Sequence, residues 1–347
     1  MRRLPAEWEP QTGVLLTWSH AATDWAAQLF ETERLYAELT ALITRYESVL
    51  IVCQNAAHIE QVRRLTVDAG ADAAQLRFAI APSNDTWARD HGPISVRNAD
   101  NHLLLLDFQF NGWGGKFAAE LDTQITARLV AAGAFGAVVH ETCDLVLEGG
   151  AIESDGQGTL LAVTRTLIDP LRNPNQSRSD IERELHDRLG IQHFLWLEHG
   201  AISGDDTDGH IDTLARFCDP HTICYVRCDD PQDVDFAELN AMEQELRALR
   251  DANGQPYRLV ALPSPKPIIE HGERLPAGYA NFLIINHAVL LPVYGDPIAD
   301  KQAQMILAEL FPQRDIHPLD CRPLIRQGGS LHCVTMQLAH GEHIQSG

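Results

Sequence analysis

Basic side chains are scarce in this chain. Lys and Arg together number 27 against 48 Asp and Glu, a formal charge of −21 over 347 residues. That deficit argues against nucleic acid as the main partner, because there is no basic surface to displace counterions from phosphates. An acidic surface attracts small cations, and it also simply keeps a protein dissolved. Long apolar runs are missing as well. None approaches the roughly 18 residues that span a bilayer, so no membrane partner is expected. The opening MRRLPAEWEPQTG has two arginines but no apolar stretch behind them, so no secretory signal is expected.

A disulfide framework is also absent from the pattern. The seven cysteines (53, 143, 218, 224, 228, 321 and 333) are odd in number and irregular in spacing. Free thiols in a cytoplasmic protein suit that better than cross-links. Cys218, His221, Cys224 and Cys228 can be drawn as a zinc site, but they contain no CxxC pair. The stretch TICYVRC reads instead as a strand with small buried thiols, so no metal is expected.

What the chain does contain is a repeated order of elements. Hairpins are predicted at 92–108, 149–164, 210–226 and 279–294, with turn signals such as Asp155-Gly156. Helical patterns follow at 116–132, 176–190, 233–251 and 297–311. Short strand-like runs come next at 136–140, 193–197 and 257–262, with a weaker one at 314–319. A fifth unit can be assembled from the two ends: strands 331–338 and 13–19, a helix over 24–45 and a strand over 48–53. A helix at 56–69 and a strand at 76–80 lead on to the first hairpin. Pairing the termini would close a circular array and remove its exposed edge. The chain therefore reads as one domain over 1–347 with pseudo-fivefold ββαβ repeats. No low-complexity linker interrupts it.

The reactive residues fall at one phase of these units, where each hairpin begins. Asp90 precedes Gly92-Pro93, and Glu148 precedes Gly149-Gly150. His210 and Asp212 open the third hairpin, Asn281 the fourth and Cys333 the last. Taken singly, each has an ordinary explanation: a core thiol, a turn aspartate, a loop histidine. Taken together, they would have to reach the same phase by accident. GDDTDGHID does not match a calcium loop, since its acid spacing differs and the terminal Glu is missing. Asp205 and Asp206 read as solvated, with a role for one of them at the site left open. His332 is the sequence neighbour of Cys333. On a strand adjacent side chains point to opposite faces, so the expected partner of Cys333 is His210.

TWARDHGP (86–93), LEGG with DGQGT (147–159), TDGHID (207–212) and GGSLHC (328–333), in that order, resemble the agmatine deiminase and bacterial peptidylarginine deiminase-like family of guanidine-modifying enzymes. FNGWGGKF (110–117), RNPNQSR (172–178) and LPAGYANFLIIN (275–286) support the likeness, which covers nearly the whole chain. The resemblance implies an α/β fold of the pentein type, a five-bladed α/β propeller. It implies hydrolysis of agmatine to N-carbamoylputrescine and ammonia, a step of polyamine biosynthesis toward putrescine. The alternative is the same chemistry on arginine or peptidyl-arginine. Cys333 would be the nucleophile and His210 the general acid/base. Asp90 and Asp212 would grip the guanidinium, and Glu148 would orient His210. Trp87, Trp113 and Asn281 would join Asp90 and Asp212 in binding substrate. The chemistry requires no cofactor and no metal. The partner is a small cationic guanidine, and some members of the family form homo-oligomers. Two departures bear on substrate choice: QGGSLHC stands where many agmatine deiminases have GGGNIHC, and DDTDGH where they have DETDGH.

Other classes fit less well. A thiol protease would use a Cys–His pair but leave the three acids at one phase unexplained. An amidinotransferase shares the first half of the chemistry but must exclude water. A binding protein would not need Cys333 or His210.

Overall fold

The computed structural model describes residues 1–341 and 344–346. Its helices form where the sequence places an apolar stripe behind a cap. In Leu29–Ile43 the buried positions Thr32, Leu35, Tyr36, Leu39, Thr40 and Ile43 recur every three or four residues, one face of a helix. Arg178–Leu189 starts at a capping box between Ser177 and Asp180. It stops at Gly190, whose φ of 77° is a left-handed conformation that favours glycine. Pro297–Leu310 starts with Asp296 capping two backbone N–H groups and proline in its first turn.

Among the described residues the strands form five sheets and a two-stranded ribbon. Four sheets share one plan: an antiparallel hairpin, a helical crossover and a third strand parallel to the second. Their strands are Ile94–Arg97, Leu103–Gln109 and Val139–Val146; Glu153–Ser154, Thr159–Val163 and His193–Leu197; Ala215–Asp219, Thr222–Val226 and Arg258–Leu262; and Leu283–Ile285, Ala288–Val293 and Asp315–Asp320. The fifth joins the ends of the chain. Thr335–Ala339 pairs antiparallel with Gln11–Thr17, which runs parallel to Ser48–Cys53 and through it to Leu76–Ile80. The second strands are buried almost throughout, as expected for strands covered on both faces. The ribbon, Ile269–Glu270 with Glu273–Arg274, lies outside this plan.

Three local expectations need correcting. The helix predicted at 116–132 is helical only over Asp122–Ala131. Asn84 accepts from the Leu121 N–H and Asp122 from the N–H groups of Asn84 and Asp85, so these side chains hold the preceding residues in a loop. The strand predicted at 331–338 begins only at Thr335. Asn281 Oδ1 accepts from the backbone N–H of both His332 (2.9 Å) and Cys333 (3.4 Å), taking donors that a ladder would use. His332 and Cys333 therefore lie in a turn, and their separation does not come from strand alternation. The third strand of the first hairpin unit, predicted at 136–140, runs over Val139–Val146.

The four residues that could be drawn as a zinc site form no metal-binding group among the described residues. Cys218 and Cys224 are buried in adjacent strands, while the His221 imidazole is 71% exposed beside Asp251. No helix among the described residues is long and apolar enough to cross a membrane.

Candidate active site

The six residues singled out at one phase of the repeat meet in a single buried cluster. The segments that carry them are short turns rather than strands. Asp90 lies in the one-turn helix Ala88–His91, and Glu148 precedes the turn Gly149–Ala151. His210 and Asp212 flank the start of the turn Ile211–Thr213.

Cys333 Sγ lies 3.4 Å from Asn281 Oδ1 and 4.0 Å from Asp212 Oδ2. His210 is fully buried, with Nδ1 3.6 Å from Asp90 Oδ1 and Nε2 3.5 Å from Glu148 Oε2, and neither nitrogen has a hydrogen-bond partner among the described residues. Asp90 is held at both oxygens. Oδ1 accepts from Gly150 N–H (3.0 Å) and Oδ2 from Trp113 Nε1–H (2.9 Å). Asp212 is held at one only. Oδ2 bonds His332 Nδ1 at 2.7 Å, and Oδ1 is buried without a partner.

Gly150 forms the wall between them. A Cβ there would come within 2.6 Å of His210 Nδ1, 2.9 Å of Asp90 Oδ1 and 3.2 Å of Asp212 Oδ2. At Gly329 a Cβ would meet the Trp87 ring at 2.2 Å, so that glycine lets the indole lie flat against the backbone beside Cys333. Trp87 Nε1 donates to Asp85, which also accepts from Trp25. Trp113 takes a left-handed φ of 56°, uncommon for a bulky side chain, and this aims its N–H at Asp90.

These surroundings set the charges. Burial, with Asp212 and Asp90 nearby, pushes the Cys333 thiol well above its ordinary range, so the resting site holds a thiol. Burial works against a charged His210, but Asp90, Glu148 and Asp212 outweigh it and raise its pKa to about 9. The two aspartates differ. Burial lifts Asp90 to about 6, with Asp212 and Glu148 adding to the rise. Burial acts on Asp212 in the same direction, but the bond from His332 reverses it and holds Asp212 below the usual carboxylate range.

The cluster opens into a cavity of about 340 Å³ lined by Trp87, Trp113, Phe117, Asp90 and Cys333, with Asp24, Asp206 and Glu273 among its acids. Two arginines also line it, but both are engaged elsewhere. Arg274 pairs with Asp233 (2.6 Å), and Arg326 with Glu31 (2.7 Å) and Glu270 (3.0 Å). Asp206 thus borders the cavity. Asp205 does not, and its carboxylate instead ties the loop together by accepting from Thr207 and Gly209.

A family model described as Porphyromonas-type peptidyl-arginine deiminase matches residues 3–339. The chain belongs to that family. It is 31% identical to the agmatine deiminase of Stutzerimonas stutzeri, over 96% of this chain and 94% of that protein. Among solved structures, one described as "Putative Arginine Deiminase from Porphyromonas gingivalis" is 48% identical with a TM-score of 0.92, covering 99% of this chain and all of that one. A Cys→Ser variant of the C. jejuni agmatine deiminase with substrate bound is 34% identical with a TM-score of 0.91, covering 99% of this chain and 98% of that one.

The family motifs also contain residues whose role sequence reasoning missed. Arg172, in RNPNQSR, is buried. Its Nε reaches both Glu148 oxygens at 2.9 Å, and its other nitrogens reach Asp169, Asp208 and the Thr207 carbonyl. It fixes Glu148 beneath His210 and anchors the loop that delivers His210. Arg216, buried among Glu7, Glu153 and two backbone carbonyls, lies under Asp212. Its signal was legible: a cation within the apolar strand ARFCD needs buried carboxylates.

Proposed function

We propose that this protein hydrolyses agmatine to N-carbamoylputrescine and ammonia. The observation that carries the reading is the buried cluster at the end of the cavity, where a thiol, an imidazole and two unlike aspartates come together. A guanidinium is a planar cation whose N–H edges suit carboxylates. Asp212, with Oδ1 open, and Asp90 would bind it and bring its carbon to Cys333.

In this mechanism the bound cation offsets the carboxylates that keep Cys333 protonated, so the thiol gives its proton to solvent through the cavity and the thiolate forms where its target lies. Sγ bonds to the guanidine carbon. His210, already protonated, gives its proton to the departing nitrogen; the C–N bond breaks and ammonia leaves. His210, now neutral, takes a proton from water, whose oxygen bonds to the same carbon. The C–S bond then breaks as the hydroxyl proton of the adduct passes to sulfur, releasing the ureido product and the Cys333 thiol. Glu148 and Asp90 support the imidazolium in the first half.

A pH profile follows. Asp90 must be ionised to bind the cation, so kcat/KM for agmatine should rise through about pH 6. His210 must be protonated to release ammonia, so kcat/KM should fall through about pH 9. Rates that do not change between about pH 5 and 7 would contradict the role given to Asp90.

The second reading is arginine or peptidyl-arginine, favoured by the description of the 48% identical structure. Both substrates carry a distal carboxylate or carbonyl that calls for a free arginine or for backbone donors. The cavity's two arginines are already paired with acids, while its own acids suit agmatine's second ammonium. Ammonia and ureido release should be measured with agmatine, arginine and a blocked arginine peptide. Agmatine is expected to have the highest kcat/KM. A preference for arginine would overturn the substrate, and inertness toward all three would overturn the activity.

The reading includes a five-bladed propeller formed as one domain. It is supported by the shared plan of the sheets and by the pairing of the chain ends. Seven cysteines without a disulfide suit a cytoplasmic setting.

A further inference from the structure

Beneath the site, a buried histidine lies between two carboxylates. His332 Nδ1 is 2.7 Å from Asp212 Oδ2, and its Nε2 is 2.7 Å from Glu7 Oε2. An ionised carboxylate only accepts, and a neutral imidazole has one N–H, so two such bonds require both ring nitrogens to be protonated. Glu7 is itself fixed. Its Oε1 accepts from Ile284 N–H and its Oε2 from Arg216 Nη2, each at 2.7 Å. Burial favours a neutral Glu7, but Arg216 and His332 prevail and hold it ionised.

Glu7 comes from the N-terminal segment, far in sequence from Asp212 and His332. That segment is anchored by the Arg3–Arg97 bridge and the Arg3–Glu9 ion pair. Glu7, Arg89, Glu153 and His332 line a narrow cavity that shares no lining residue with the substrate cavity. The groups facing His332 are Glu7 from this segment, Asp212 from the turn after His210, and Glu153 from the second sheet. Arg89, from the helix carrying Asp90, places Nη2 3.9 Å from Glu7, and Arg216 shares Glu7 with His332.

We propose that Glu7 is a positioning residue for the guanidine site: it holds His332 as an imidazolium, which keeps Asp212 ionised with one oxygen bonded and the other open to substrate. The proposal deepens the guanidine-hydrolysis reading and rests on it for its kinetic consequence. Glu7 acts through His332 and touches no substrate. Loss of Glu7 should therefore weaken guanidinium binding without slowing the attack by Cys333.

The test combines spectroscopy and kinetics. In the wild-type protein with ¹⁵N-labelled histidine at pH 7, both His332 ring nitrogens should carry a proton, as its two carboxylate bonds require. In Glu7→Gln one ring nitrogen should lose its proton under the same conditions. Glutamine keeps the volume but turns a donor toward groups that are all donors. With agmatine, Glu7→Gln should raise KM about tenfold while kcat stays within about threefold. His332→Gln should do the same, and the double variant should lose no more than the worse single one. A neutral His332 in the wild type overturns the proposal, whatever the variants do and even if Glu7→Gln does not fold. Additive losses, or a fall in kcat at unchanged KM, also overturn it. If the wild type turns over no guanidine, the hydrolysis reading fails, and the histidine spectra still decide whether Glu7 sets the charge of His332.

Discussion

Replacing Cys333 by serine is expected to lower kcat for agmatine by at least about 10⁴-fold while leaving the Kd for agmatine within about threefold. The oxygen is a far weaker acid than the sulfur it replaces. It would sit beside the carboxylates that already push the thiol upward. His210, at about 9, is already protonated at neutral pH and cannot take its proton. Binding should survive because the guanidinium is gripped by Asp90 and Asp212. Calorimetry with agmatine and a coupled ammonia assay on the same preparation check both halves. Turnover within a few-fold of wild type would remove Cys333 from the chemistry.

Gly150→Ala is the second large effect, expected to lower kcat/KM by at least about 10²-fold with little change in thermal midpoint. Its Cβ would press on three working side chains, His210, Asp90 and Asp212, and a shift in their geometry is costly to a reaction that depends on alignment. The neighbouring glycine is the control. A Cβ at Gly149 would meet the Arg89 carbonyl oxygen at 2.3 Å, so Gly149→Ala should lower the thermal midpoint instead. Steady-state kinetics and thermal melts of the two variants separate these outcomes. Full activity in Gly150→Ala would show that the reaction does not depend on the alignment of His210, Asp90 and Asp212 against this glycine.

The contrast between the two glycines reflects what was legible in the sequence. Asp90, Glu148, His210, Asp212, Asn281 and Cys333 could be grouped because each opens a hairpin of the same strand order, and the structure brings them together. The supporting charges could not be grouped this way. Glu7 lies in a segment with no regular structure, and Arg172 lies in a loop, so neither has a phase to read. Their partners are set by three-dimensional proximity alone. His332 was separated from Cys333 on the ground of strand alternation, which does not hold here: the local backbone is a turn, and bonds to Asp212 and Glu7 occupy the His332 ring. The misplaced helix start near residue 116 has a similar origin. Helical spacing was present, but the side chains of Asn84 and Asp122 bind the backbone there in another form.

The central claim is covalent capture of the guanidine carbon by Cys333. The direct test is an acid quench of wild-type enzyme during its first turnovers of agmatine, with peptide mapping and parallel assays of ammonia and ureido product. Ammonia should appear ahead of the ureido product, with Cys333 heavier by agmatine less ammonia. Release of both products in step from the first turnover, with Cys333 unmodified throughout, would contradict the account.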